Sequence, residues 1–66
     1  MNTAPQTPED ALTLALVLAI NAPDEARSER ALYVAIGIAE TMSARAVNRC
    51  KQRAERLAAE ARSVVA

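Results

Sequence analysis

Histidine, phenylalanine and tryptophan are absent from this sequence of 66 residues, and cysteine, glycine and tyrosine each occur once. A single cysteine excludes a disulfide within the chain, and the chain lacks the histidine and cysteine sets that bind zinc. One glycine leaves no glycine-rich loop for phosphate, and no group of acidic residues has the spacing of metal ligands. We therefore expect no metal, no cofactor and no catalytic site.

Large apolar side chains are also scarce. Hydrophobic residues make up 52% of the chain, but 16 of them are alanine, whereas leucine, valine and isoleucine together number 14. A domain of this size buries only about 60% of the surface that its unfolded chain exposes, so its stability is marginal. Because disulfides and metals are excluded, a partner chain is the remaining source of additional stability.

No segment has the features of a membrane span or a secretion signal. The apolar run at residues 11–20 is ten residues long, whereas a membrane-spanning helix needs about 20. Glu9 and Asp10 precede this run in place of the basic residues of a signal peptide. A lone thiol is also typical of a reducing compartment. These features predict a cytoplasmic protein that does not bind membranes.

The first helix is predicted over residues 8–21, after a flexible tail at 1–6 and at the start of a single domain over 7–66. Thr7 has the side chain of an N-cap and Pro8 suits the first helical position. Leucine at every second position from 12 to 18 also matches a strand. The cap, the alanines and the unbranched leucines favour a helix.

Two further helices follow. Pro23 interrupts the helical pattern, and Asp24 can cap a helix over 24–42. Ser43 can cap another helix over 44–63. The last helix carries small apolar residues at alternating steps of three and four, which predict a heptad seam: Val47, Cys50, Ala54, Leu57, Ala61 and Val64. The fold class predicted is all-α, a small three-helix bundle that self-associates.

The first two helices have more apolar surface than a three-helix bundle can bury, because a helix that is apolar on all sides needs neighbours on all sides. One face of each is predicted to form the core: Leu12, Ala15, Leu16, Ala19 and Ile20, then Leu32, Ala35, Ile36, Ala39 and Met42. The remaining apolar residues are predicted to form an interface: Leu14, Val17, Leu18, Val34 and Ile38. Tyr33 is predicted either to lie in the core or to be an anchor of this interface. A homodimer is the favoured arrangement, and another protein partner or a monomer are the alternatives.

Two single residues also have alternative interpretations. Gly37 lies inside the second helix, where glycine costs roughly 1 kcal/mol relative to alanine. Gly37 either allows a close approach between helices or has no role in packing. Cys50 is interpreted as a small buried hydrophobic residue, with a thiol activated by nearby cations as the alternative.

Charge is unevenly distributed although its sum is zero: residues 1–40 carry a net −4 and residues 41–66 a net +4. The third helix has a basic face with two amide side chains beside it: Arg45, Asn48, Arg49, Gln52, Arg53 and Arg56. The favoured interpretation is that these arginines are solvated or pair with acids of the first two helices. The alternative is a regulator that binds nucleic acid through this face, although the pI near 6.2 is low for one. The sequence thus predicts a non-catalytic protein-interaction module.

Overall fold

Side-chain caps start each of the helices. In the computed structural model, which describes residues 7–65 without the side chains of residues 62, 64 and 65, the helices are Pro8–Ile20 (α1), Glu25–Ala39 (α2) and Ala44–Val65 (α3). The Thr7 hydroxyl accepts a hydrogen bond from the Asp10 amide at 3.0 Å, and Asp24 accepts one from the Arg27 amide at 2.8 Å. Ser43 caps α3 in the same way, from the Ala46 amide at 3.2 Å. The predicted caps and the all-α, three-helix architecture are confirmed.

The ends of the helices differ slightly from the prediction. α2 ends at Ala39, three residues before the predicted end at 42, because the chain tightens there into a turn. The amides of Thr41 and Met42 donate to the carbonyls of Ile38 and Ala39, three residues back, at 3.1 and 3.0 Å. The predicted tail at 1–6 and residue 66 lie outside the described residues.

α1 is the central helix of the bundle. It packs along both α2 and α3, whereas α2 and α3 barely touch each other. Two side chains tie α1 to its neighbours: the Ser28 hydroxyl donates to the Ala19 carbonyl at 3.0 Å, and the Cys50 thiol donates to the Glu9 carbonyl at 3.5 Å. α2 and α3 are therefore held mainly through α1, and each keeps an uncovered side.

The core is built almost entirely from small side chains. Leu12 is the one large hydrophobic residue among those described that is fully buried, at 2% exposure. Its cluster contains Ala15, Ala35 and Cys50. Partly buried hydrophobic residues pack against the edge of this cluster: Leu16, Ile38, Ala39, Met42 and Val47. Alanines let the helix backbones approach closely, but they bury little apolar area each, so this core contributes little hydrophobic stabilisation.

α3 does not bury the predicted heptad seam. Its buried residues are Ala46, Cys50, Ala54 and Ala58, which follow one another at steps of four. A row with this spacing runs obliquely to the helix axis, inclined by about 26°, as in ridge-into-groove packing of crossing helices. The prediction is correct as far as Ala54 and wrong at Leu57, which is 40% exposed, because the buried row has turned to Ala58.

No helix within residues 7–65 is long and apolar enough to cross a membrane.

Candidate interaction surfaces

The large hydrophobic side chains of this chain lie mostly outside its core. Eight of those described are 40–74% exposed: Leu14, Leu18, Ile20, Leu32, Tyr33, Val34, Ile36 and Leu57. Single exposed apolar residues are normal, but monomeric proteins do not usually place alanine inside and leucine or isoleucine outside. α1 and α2 contribute seven of the eight, so the exposed apolar area belongs to these two helices.

On α1, the apolar outer face consists of Leu14 and Leu18, 45% and 57% exposed, which lie one turn apart. Val17 beside them is half-buried. Thr13 is buried at 4%, and its hydroxyl donates to the Glu9 carbonyl at 2.8 Å. The polar side chain of the central turns thus points inward while leucines point outward. We call Leu14 and Leu18 the α1 surface.

On α2, the inward face is rotated from the one that the sequence predicts. The residues of α2 and the following turn that are buried or half-buried include Ser28, Ala31, Ala35, Ile38 and Met42, again at steps of three and four. Ile38, which was predicted at the interface, is half-buried and packs against the core cluster. The inward face of α2 and the following turn therefore begins with the small side chains of Ser28, Ala31 and Ala35 and ends with Ile38 and Met42.

This rotation exposes residues that the sequence assigns to the core. Leu32 and Ile36 are 42% and 55% exposed, so their predicted burial is wrong. Val34, predicted to be an interface residue, and Tyr33, for which the interface was one of two predicted places, are exposed at 58% and 74%. We call these four residues the α2 surface.

Gly37 lies one turn after Tyr33 and is exposed. A Cβ atom built on it would meet no atom within 4 Å, so no neighbouring helix of this chain requires a glycine there. Gly37 and Val34 form part of an open groove of about 540 Å³ whose other walls come from the start of α1 and the end of α2. The close approach that was one interpretation of Gly37 does not occur within the chain.

The basic face of α3 is partly neutralised by α1. Arg49 pairs with Glu9 (Nη2–Oε1 3.7 Å), and Arg53 pairs with Asp10 (Nη1–Oδ1 3.4 Å). All four side chains of these pairs are about half exposed, which limits the contribution of each pair to stability. The other residues predicted on this face are exposed: Arg45, Asn48, Gln52 and Arg56. Two of the four arginines therefore face acids of the same chain, as the favoured interpretation expected.

Cys50 is a core residue, 3% exposed and in contact with the small side chains around Leu12. The prediction that it is a buried hydrophobic residue is confirmed. Among the described residues, no group of three or more cysteine, aspartate or glutamate side chains is placed to hold a metal ion.

No protein family, curated protein or solved structure matches this chain.

Proposed function

We propose that this protein is a small, non-catalytic interaction module of the cytoplasm that acts by binding another protein chain, and first of all a second copy of itself. The observation that carries the proposal is the inverted distribution of its apolar side chains. The core holds one large hydrophobic residue, whereas Tyr33, Val34 and Leu18 are each more than half exposed. Covering these side chains would supply the hydrophobic stabilisation that the alanine core does not.

The composition of the α2 surface also supports a protein partner. The α2 surface combines one aromatic and three aliphatic side chains, apolar types that are common at the centre of protein interfaces, and tyrosine is enriched at the positions that contribute most binding energy. The only tyrosine of the chain is its most exposed large hydrophobic residue among those described. At an interface, its ring adds a large contact area at a low cost in conformational entropy.

The nucleic-acid alternative has less support. Phosphate binding depends on cations that are free to replace counterions, and Arg49 and Arg53 already lie beside Glu9 and Asp10. A phosphate approaching these arginines would also meet the two carboxylates. We therefore rank protein binding first.

Sedimentation over a series of concentrations tests self-association. We expect a species of twice the 7.0 kDa of the chain as concentration rises. Val34→Asp should shift the equilibrium towards monomer, because it places a charge on the α2 surface, where binding would remove it from water. Ala59→Asp is the matched control: it adds the same charge at an exposed position of α3, away from the α1 and α2 surfaces.

A chain that stays at 7.0 kDa over the whole concentration range contradicts the self-association proposal. Equal effects of Val34→Asp and Ala59→Asp would instead show that α2 is not the surface involved. Circular dichroism of each variant separates a loss of association from a loss of fold.

A further inference from the structure

The outermost residues of α2 form a second, polar and aromatic seam directly opposite its buried face. Residues 26, 30, 33, 37 and 40 follow one another at steps of four, three, four and three. They are Ala26, Arg30, Tyr33 and Gly37 of α2 and Glu40, the C-cap residue in helical conformation that follows Ala39, and all five are exposed. This spacing places them on one stripe of a helix, as the seam positions of a coiled coil are placed.

We infer that a second copy of this chain pairs with this seam, α2 against α2 in antiparallel orientation about a two-fold axis, so that Tyr33 of each copy packs over Gly37 of the other. The inference rests on the proposed self-association and specifies its geometry. A two-fold axis requires the same surface to be complementary to itself, and this seam is.

The register follows from charge and size. In an antiparallel pair about a two-fold axis, the numbers of two seam residues that face each other have a constant sum. If this sum is 70, Arg30 faces Glu40 of the other copy and Tyr33 faces Gly37, whereas residues on a flank of the seam face the same flank of the other copy. A parallel pair would place Arg30 on Arg30 and Glu40 on Glu40. An antiparallel pair shifted by seven residues would no longer place Arg30 opposite Glu40 of the other copy. Only the first arrangement pairs both charges and gives the largest side chain the smallest partner.

The structure supplies the room that this packing needs. Gly37 has no neighbour within 4 Å of where its Cβ would be, and the open groove of about 540 Å³ lies beside it. Within one chain, Arg30 and Glu40 are ten residues apart, roughly 15 Å along the helix, so they cannot pair with each other. The ion pairs found among the described residues involve neither of them.

The flanks of the seam are compatible with the same register. Val34 and Ile36, 58% and 55% exposed, lie on opposite sides of the seam at the level of the two-fold axis. Each would therefore meet its own copy, and both contacts would be apolar. Pairing thus covers three of the four residues of the α2 surface.

Charge exchange tests the register. Arg30→Glu and Glu40→Arg should each weaken the dimer, because each places like charges opposite one another. An equimolar mixture of the two variants should restore it, since every mixed pair then has opposite charges at both positions. The readout is the apparent dissociation constant from sedimentation, and we expect each single variant to dimerise at least about 5-fold more weakly than wild type.

Gly37→Leu tests the contact with Tyr33. Leucine stabilises a helix relative to glycine, and a Cβ atom at this position meets no atom of its own chain, so helicity should rise while dimerisation falls. Ala26→Leu is the control at the end of the seam, where the register places no Tyr33, and it should leave dimerisation closer to wild type.

The outcomes separate this inference from the proposed function. A wild-type dimer that both charge variants leave unchanged, or that the mixture fails to restore, overturns the α2 register while self-association through another surface stands. A wild-type chain that is monomeric throughout overturns both. Restoration in the mixture together with weaker dimerisation of Gly37→Leu supports the inference.

Discussion

At the scale of single residues, the unusual feature is how much of the core depends on Leu12. The other fully buried apolar residues are alanines and one cysteine, so no second large side chain shares its role in the described interior. Gly37, by contrast, lowers the stability of α2, and no contact inside the chain requires a glycine there. Both residues indicate a chain with little stability to spare.

Leu12→Ala should therefore be severely destabilising. Truncating a buried leucine costs about 2–5 kcal/mol, which is a large part of the stability of a small domain. We expect thermal unfolding followed by circular dichroism to show a large fall in midpoint or the loss of the folded state. Leu57→Ala, the same substitution at a residue that is 40% exposed, is the control. Similar shifts for the two variants would contradict the central role of Leu12.

At the scale of the helices, α2 and α3 each bury mainly small side chains and leave larger apolar side chains exposed. α2 turns Ala31 and Ala35 towards α1 and leaves Leu32 and Ile36 outside. α3 buries a row of small residues that includes Ala54 and Ala58. In both helices, small side chains occupy the contact with α1, because they allow the backbones to come close together.

Ala58→Leu and Ala59→Leu test the buried row of α3. Ala58 is 0% exposed, so a larger side chain there should destabilise the fold by about 1–3 kcal/mol through overpacking. Ala59 is exposed on the same helix, and leucine there should change stability by no more than about 0.5 kcal/mol. Chemical denaturation gives both free energies of unfolding. If leucine lowers the free energy of unfolding less at position 58 than at position 59, the buried row ends before Ala58.

At the scale of the whole molecule, the acidic and basic halves of the sequence meet where α1 lies against α3. Glu9 and Asp10 face Arg49 and Arg53 there, so part of the −4 and +4 charges is compensated within the chain. These acids also lie at the N-terminus of α1, where negative charge is favoured by the helix dipole. The same contact places a carboxylate beside two of the four arginines of the basic face.

We accordingly expect wild-type protein to bind short DNA and RNA duplexes weakly in fluorescence anisotropy. Glu9→Gln together with Asp10→Asn should strengthen this binding, because it frees two arginines for phosphate. The nucleic-acid alternative would instead be favoured if wild-type affinity is high at low salt and falls steeply as salt is added. The slope of log affinity against log salt concentration would then be near −0.9 for each phosphate contacted.

The starts of the helices can be predicted from local sequence, since Thr7, Asp24 and Ser43 accept hydrogen bonds from amides three residues away. The sequence also determined that α1 and α2 have more apolar surface than one small bundle can cover, and that Cys50 is buried. These properties depend on composition and on local hydrogen bonds, which a sequence displays directly.

Which apolar residues are left exposed depends on how the helices pack against one another. When a helix is apolar on most sides, its hydrophobic pattern does not fix its rotation about its own axis. The rotation of α2 was therefore set by how closely α1 can approach Ala31 and Ala35. As a result Ile36, which was predicted in the core, is exposed, and Ile38, which was predicted at the interface, is half-buried. The pairing of Arg49 and Arg53 with Glu9 and Asp10 was likewise decided by packing, because it joins residues about 40 positions apart.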